Sequence, residues 1–202
     1  MMPIASISPR FADYRGHVDE LVSAALGAAD PEAAVGRFLR REGRTLWVGR
    51  VAEAEAIDLE RGRVYLIAAG KAAIPMTAAA MAVLGADVAG GVVIAKAGGS
   101  EWPDAAAQWP LALHRGGHPL PDADSLAATK AVVELLANTR AEDAVLCLIS
   151  GGASSLLTQP LLPLDDWRKL LEVFLKSGCT ISELNAVRRA IDRVKAGGLA
   201  RA

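Results

Sequence analysis

Two segments of the chain share one design, in which a short apolar run stops abruptly in a turn that contains glycine. They are residues 64–73, VYLIAAGKAA, and residues 145–155, VLCLISGGASS. An uninterrupted apolar run followed by such a turn predicts a buried parallel strand that opens into a loop and then a helix. Backbone N–H groups and a helix N-terminus converge on anions at that edge of an α/β sheet. Both turns are therefore candidate sites for a phosphate or a carboxylate.

The rest of the chain alternates apolar runs with segments of helical periodicity. Strands are predicted at residues 45–49, 64–69, 91–96, 111–114 and 144–149, and helices at residues 10–29, 31–41, 72–84, 124–138, 164–177 and 181–194, with a short helical stretch after Ser154. This alternation predicts one α/β domain over residues 1–202: a doubly wound, mostly parallel, Rossmann-like sheet with helices on both faces, preceded by an N-terminal helical pair. Residues 195–202 look like the start of another turn and helix. We therefore expect a truncated chain that lacks a C-terminal domain.

The composition argues against several classes of function. The 22 basic and 23 acidic side chains leave neither a basic stripe nor an acidic tail, so neither nucleic acid nor an anionic membrane is expected as a partner. The most apolar region, residues 72–97, is interrupted by proline, glycine and aspartate and is too broken to span a membrane. The two cysteines lack the spacing of a metal site and fit a reducing, cytoplasmic compartment.

Lys71 is the first candidate for a chemical role, because it directly follows Gly70 at the end of a predicted strand. A compact ammonium group in that position can meet a phosphate as a point charge. The competing interpretation is a solvated lysine, although the start of a helix is an electrostatically unfavourable place for a cation. Neither a GxxxxGK[ST] nor a GxGxxG motif is present, so this pair alone does not define a nucleotide site.

The turn at residues 150–154 is the second candidate. Gly151 and Gly152 allow the backbone to approach a ligand closely, and the hydroxyl groups of Ser150 and Ser154 can donate hydrogen bonds to it. The alternative is a tight connection in which Ser154 simply caps the following helix. A serine nucleophile is not expected, because the GxSxG elbow is absent and the three histidines suggest no base.

Two further groups of polar residues have both a functional and a structural interpretation. His118 and Asp122 lie in a loop that two prolines hold rigid, where they could contact a ligand or simply form a turn and a helix start. On the last predicted helix, the i, i+3, i+7 spacing places four polar side chains on one face. They are Asn185, Arg188, Asp192 and Lys195. That stripe could line a binding site or be the solvated side of the helix.

Taken together, these segments resemble the class II glycerate kinases, the glycerate 2-kinase family with a second domain of the MOFRL type. The matching stretches occur in the family's order and cover the chain from its first helix to its last residue. They are GKAA at 70–73, HPLPD at 118–122, LISGGAS at 148–154, NAVRR at 185–189 and KAGGLA at 195–200. The resemblance implies an N-terminal domain that faces a C-terminal domain across a cleft. It also implies transfer of the γ-phosphoryl group of ATP to D-glycerate, with Mg²⁺ and with 2-phosphoglycerate as the favoured product.

The same resemblance implies roles for individual residues. The catalytic cations that meet phosphate or carboxylate would be Lys71, Arg188 and Lys195. The residues that bind substrate or nucleotide would be Gly70, Ser150, Gly151, Gly152, Ser154, His118, Asp122 and Asn185. It does not identify the metal ligands, for which Asp122 is one candidate, and it is compatible with a homo-oligomer. The family usually has glycine where Ala153 stands, so the methyl group of Ala153 is expected to hinder ligand approach.

Two other functions stay open at this point. One is the reduction of hydroxypyruvate, against which the missing dinucleotide fingerprint argues. The other is a non-catalytic module that binds an anion or a nucleotide. Because a single domain would supply only half of the cleft, we expect the 202-residue chain to be inactive by itself.

Overall fold

The computed structural model describes the backbone of residues 9–202 and the side chains from residue 14 onward. The α-helices in that range are α1 (Pro9–Ala28), α2 (Pro31–Phe38), α3 (Ala73–Leu84), α4 (Ala123–Leu136), α5 (Ala153–Leu156), α6 (Leu164–Ser177), α7 (Ile181–Ile191) and α8 (Gly198–Arg201). The strands are β1 (Leu39–Glu42), β2 (Thr45–Val48), β3 (Glu55–Asp58), β4 (Val64–Gly70), β5 (Val88–Lys96), β6 (Ala112–Gly116) and β7 (Ala144–Ile149). None of these helices has the length and apolar character needed to cross a lipid bilayer.

Four parallel strands form the main sheet, in the order β6-β5-β4-β7. The chain builds outward from β4 to β5 and β6, and then returns to place β7 on the other side of β4. The β4–β7 pair is in regular register from Val64↔Ala144 to Ala69↔Ile149. The strand order therefore reverses between β4 and β7, which is the switch point where doubly wound sheets bind ligands. The predicted fold class is confirmed.

Helices cover both faces of this sheet. Successive side chains of β4 point to opposite faces, so the strand is buried almost completely by two separate cores. Leu66 and Ala68 belong to a core that includes residues of α3. Ile67 and Ala69 belong to the other core, which includes residues of α4 and α5. The central strands are thus held rigidly, and the loops at their carboxyl ends start from a fixed position.

A small antiparallel sheet, in the order β1-β2-β3, corrects one predicted boundary. The sequence predicted a helix over residues 31–41, but α2 ends at Phe38 and the chain continues as β1. Leu39 is buried and pairs with Val48 of β2. Pairing in the hairpin and burial of Leu39 therefore outweigh the helical periodicity of this short segment.

A second correction concerns the end of α7, which was predicted to reach residue 194. The helix ends at Ile191, and Asp192 has an extended backbone with φ −129° and ψ 121°. The Asp192 carboxylate is fully buried and accepts hydrogen bonds from the Thr158 hydroxyl and from two backbone N–H groups. These partners favour the extended conformation over another helical turn. Asp192 and Lys195 therefore do not continue the polar stripe of α7.

Candidate functional site

The two glycine turns that the sequence singles out form one structure at the switch point. The Lys71 N–H donates to the Gly151 carbonyl at 2.9 Å, and the Ser150 N–H donates to the Ala69 carbonyl at 3.0 Å. The Ser150 hydroxyl accepts a hydrogen bond from the Ala72 N–H at 3.1 Å. Ser150 therefore joins the two loops. Its contact with a ligand stays a prediction.

Gly70 makes this close approach possible. Its φ of +131° is one that L side chains rarely adopt. A Cβ atom at this position would lie 2.1 Å from Ser150 Oγ and 2.7 Å from the Ser150 carbonyl oxygen, well inside van der Waals contact. The packing of the two loops thus requires glycine here, whether or not a ligand is bound.

Gly152, His118 and Lys71 meet beside these loops. Gly152 has a φ of +95°, and a Cβ atom there would lie 3.0 Å from His118 Cδ2 and 3.3 Å from Lys71 Cγ. The loop that carries His118 is fixed to α5 by the Ser155 hydroxyl, which donates to the Pro119 carbonyl at 2.8 Å. The structure therefore brings together residues of three motifs that are far apart in the sequence.

The surroundings of His118 are cationic. Burial lowers the pKa of His118 most, and the positive charges of Lys71, Lys96 and Arg188 lower it further, against the opposing effect of a backbone hydrogen bond. None of the ion pairs between residues 14 and 202 involves Lys71 or Lys96. At neutral pH the imidazole of His118 is therefore uncharged, and neither lysine is in an ion pair with a carboxylate of the described residues. This arrangement favours the binding of an anion.

Lys96 is the residue that sequence reasoning missed. It ends β5, and the residue before it, Ala95, lies beside Gly70 in the β4–β5 register. A signal for it does exist, because Lys96 closes an apolar run and is followed by Gly98 and Gly99. This is a third occurrence of the design that marks the other two turns.

Asp122 has a structural role as the N-cap of α4. Its Oδ1 atom accepts hydrogen bonds from the Ser125 N–H and the Ser125 hydroxyl, each at 2.8 Å. Burial acts to raise the pKa of Asp122, but hydrogen bonds from Ser125 and Gly117 outweigh it and lower the pKa. No group of three His, Cys, Asp or Glu side chains in the described part of the chain could hold a metal ion. The metal ligands therefore stay unidentified, and a ligand contact of Asp122 stays a prediction.

Arg188 and Lys195 are held in different ways. Arg188 Nη1 lies 3.4 Å from Asn185 Oδ1. Burial lowers the pKa of Arg188, and the nearby Asp192 carboxylate partly offsets the shift. The Lys195 amine donates to the Leu157 carbonyl and lies 3.9 Å from Asp192 Oδ2. Burial lowers the pKa of Lys195, and Asp192 opposes the shift. These contacts hold Lys195 in a partly buried position, and they do not test its predicted catalytic role.

Ala153 packs into the core, and its expected effect on ligand approach stays a prediction. Ala153 is the first residue of α5, and its buried methyl group packs into the core that contains Leu156. Its φ is not positive, so the backbone does not require glycine. No side chain caps α5, so Ser154 is not its N-cap. A ligand contact of Ser154 stays a prediction.

The chain matches known proteins over most of its length. A family model described as "Domain of unknown function (DUF4147)" matches residues 17–202. The D-glycerate 2-kinase of Thermotoga maritima is 42% identical over 144 residues, which are 70% of this chain and 34% of that protein. The glycerate 2-kinase of Pyrococcus horikoshii is 35% identical over 184 residues, 90% of this chain and 39% of that protein. A relative from Agrobacterium vitis, 33% identical over 90% of this chain and 37% of its own length, is named as a candidate hydroxypyruvate reductase.

A crystal structure from Pyrococcus horikoshii has the same fold. It superposes with a TM-score of 0.76 at 33% sequence identity, over 98% of this chain and 42% of that chain. The chain therefore spans less than half of the length of each of these proteins. The names of the relatives confirm the expected likeness to glycerate kinases.

Proposed function

Because this chain belongs to the DUF4147 family, we propose that its switch point forms one wall of a site that transfers a phosphoryl group from ATP to D-glycerate. The observation that carries the proposal is the convergence of Lys71, His118 and Gly152 where β4 and β7 end. Relatives named as glycerate kinases imply a nucleotide as the phosphoryl donor.

The charges around the switch point suit phosphoryl transfer. The transferred group spreads negative charge over its oxygens, so catalysis depends mainly on positioning and on cationic stabilisation. Lys71 and Lys96 provide two amines outside any ion pair of the described residues. The glycine backbone at residues 151 and 152 allows a phosphate to approach closely. We assign Lys71 and Lys96 to phosphate oxygens.

His118 and Arg188 suit the acceptor. The lowered pKa of His118 keeps its imidazole neutral, and a neutral imidazole can accept a hydrogen bond from a hydroxyl group. The guanidinium of Arg188 can bind the carboxylate of glycerate through two parallel hydrogen bonds. The amide oxygen of Asn185 lies 3.4 Å from this guanidinium and helps to orient it. Together the two side chains would hold glycerate with its hydroxyl directed towards the nucleotide.

Finer features belong to the same proposal. The names of two relatives favour the 2-hydroxyl as the acceptor. The opposite wall of the cleft would come from the part of the relatives' length that this chain does not span. A cytoplasmic location, where ATP is abundant, fits this chemistry. Mg²⁺ ordinarily accompanies ATP in phosphoryl transfer, and we assign none of the described residues to it.

Calorimetric titration of ATP into the chain tests the binding site. Lys71→Met removes the charge while keeping most of the side-chain volume, and it should raise the Kd for ATP by about tenfold or more, as expected for loss of a charge-assisted hydrogen bond. Lys96→Met should act in the same direction. The control is Lys130→Met, since Lys130 lies on the exposed face of α4 and pairs with Glu134. Equal Kd values for the wild-type and Lys71→Met chains would contradict the assignment.

Activity assays separate the competing functions. We expect the isolated chain to release no ADP from ATP with D-glycerate, because one wall of the cleft would be missing. Glycerate-dependent ADP release by the 202-residue chain would disprove the expectation that activity requires a second domain. Oxidation of NADH with hydroxypyruvate would favour the reductase. ATP binding by a full-length protein that releases no ADP would favour a non-catalytic binding module.

A further inference from the structure

The guanidinium of Arg115 is held by several groups of one loop. Arg115 lies in β6, which pairs with β5. It donates to the Lys96 carbonyl at 3.3 Å and to the Ser100 carbonyl at 2.9 Å, and its guanidinium carbon lies 5.2 Å from the centre of the Trp102 ring. These partners span residues 96–102, the segment that leaves the carboxyl end of β5. A guanidinium suits this combination because it can donate in two directions while it packs on an aromatic ring.

The ion pair between Arg115 and Glu101 contributes little to this arrangement. The two side chains approach to 3.5 Å, but the Glu101 side chain is 93% exposed. Water and salt weaken a pair so exposed. The backbone carbonyls and the indole ring therefore determine where the guanidinium lies, and Glu101 offers a control position.

The segment that Arg115 holds begins with a tight turn. The Gly99 N–H donates to the Lys96 carbonyl at 3.1 Å, and this is the same carbonyl that Arg115 binds. Gly98 has a φ of +67°, and a Cβ atom there would meet nothing within 4 Å. The Lys96 carbonyl is thus fixed by two donors, while the tip of the turn faces open space.

The side chains of Lys96 and Arg115 point to opposite faces of the main sheet. Ile94 of β5 belongs to the core that includes residues of α4 and α5, so alternation along the strand directs Lys96 to that face. Leu113 of β6 packs, like Trp102, against the core that includes residues of α3, and alternation directs Arg115 to this second face. Arg115 therefore holds Lys96 through the backbone.

The face to which Lys96 points is the one that carries His118. His118 lies beside Gly152, which is the N-cap of α5. Lys96 is paired with Gly116 in the β5–β6 register, and the Ala97 N–H donates to the Gly116 carbonyl at 2.9 Å. Gly116 precedes His118 by two residues. The charge of Lys96 is therefore close to the imidazole, in agreement with its effect on the pKa of His118.

We propose that Arg115 is a positioning residue: it fixes the Lys96 carbonyl and the turn at residues 96–99, and thereby directs the Lys96 amine towards His118 and the phosphate. The inference rests on the proposed function, in which Lys96 binds a phosphate oxygen. A lysine side chain is flexible, and a fixed backbone at its base reduces the conformational entropy that is lost when the amine binds an anion. Arg115 itself would not touch the ligand.

The pKa of His118 in the ligand-free chain, measured by NMR, reports the position of the Lys96 amine. Lys96→Met removes a nearby positive charge and should raise this pKa, while Lys71 and Arg188 continue to lower it. Arg115→Met should also raise it, but by less, because Lys96 keeps its charge and loses only its fixed position. In the Lys96→Met background, Arg115→Met should leave the pKa unchanged, because Arg115 acts through the Lys96 amine.

Calorimetric titration with ATP gives the second readout. Arg115→Met should raise the Kd by about three- to tenfold, and by less than about twofold in the Lys96→Met background. Trp102→Leu leaves every charge in place but removes the ring on which the guanidinium packs, so it should also raise the Kd. Glu101→Gln is the matched control, and its Kd should equal that of the wild-type chain.

The outcomes distinguish this proposal from the proposed function. If the wild-type chain does not bind ATP, the phosphoryl-transfer site is contradicted, and the pKa of His118 still decides whether Arg115 positions Lys96. A wild-type pKa of His118 in Arg115→Met would overturn the positioning role. Equal effects of Arg115→Met with and without Lys96 would also overturn it. If circular dichroism shows that Arg115→Met does not fold, the same two measurements on Trp102→Leu decide the question.

Discussion

Replacing Gly70 by alanine tests how the two loops at the switch point are held together. The added methyl carbon would lie 2.1 Å from Ser150 Oγ, whereas ordinary contacts begin at 3.4 Å, so the loops must separate. We expect overpacking to cost about 1–3 kcal/mol. The φ of +131° adds backbone strain of about 1–3 kcal/mol, and loss of the Ala72–Ser150 hydrogen bond about 1 kcal/mol. The free energy of unfolding should therefore fall by about 3–7 kcal/mol in total.

Urea denaturation followed by far-UV circular dichroism measures this loss. Gly43→Ala is the matched control, because Gly43 also has a positive φ, +60°, but nothing lies within 4 Å of an added Cβ atom. The control should lose about 1 kcal/mol from backbone strain alone. A loss in Gly70→Ala no larger than in Gly43→Ala would refute the packing argument.

Three further predictions concern the residues around the switch point. Asp122→Ala removes the cap of α4 and should lower the free energy of unfolding by about 1–2 kcal/mol in urea denaturation, with little change in calorimetric ATP affinity. The pKa of His118, measured by NMR, should lie below 6.5 in the free chain and rise on addition of ATP, whose charge offsets the lysines. The folded state favours neutral His118, so the stability that this side chain contributes is fully present above pH 6.5 and is lost as the pH falls through its folded-state pKa. Urea denaturation at a series of pH values measures this trend. Lys195→Met should lower the thermal midpoint, since the buried Asp192 carboxylate loses a nearby cation, and should reduce ATP affinity less than Lys71→Met does.

The parts of the fold that depend on local pattern could be predicted from the sequence. β7 and α6 have the predicted bounds, 144–149 and 164–177, because the apolar run and the helical periodicity are uninterrupted there. The wrong boundaries are set by distant contacts instead. α2 ends before Leu39, which pairs with β2 instead. α7 ends before Asp192, whose carboxylate accepts a hydrogen bond from the Thr158 hydroxyl. No local pattern encodes such pairings.

The candidate site shows the same division. The sequence identified Gly70, Lys71 and Gly151 as parts of separate turns, but their contact depends on β7 returning to lie beside β4. Lys96 was missed because only the strand order brings its charge close to His118. The burial of the Ala153 methyl group could not be predicted either, because it depends on packing with residues that are distant in the sequence.

The most direct test of the central claim is a map of amide chemical shifts in the ¹⁵N-labelled chain as ATP is added. The switch point between β4 and β7 should give the largest changes, at residues 70–73 and 150–152 and around His118, and Lys71→Met should reduce them. Changes concentrated in the antiparallel sheet β1-β2-β3, with none in these loops, would contradict the assignment of this switch point as the anion site.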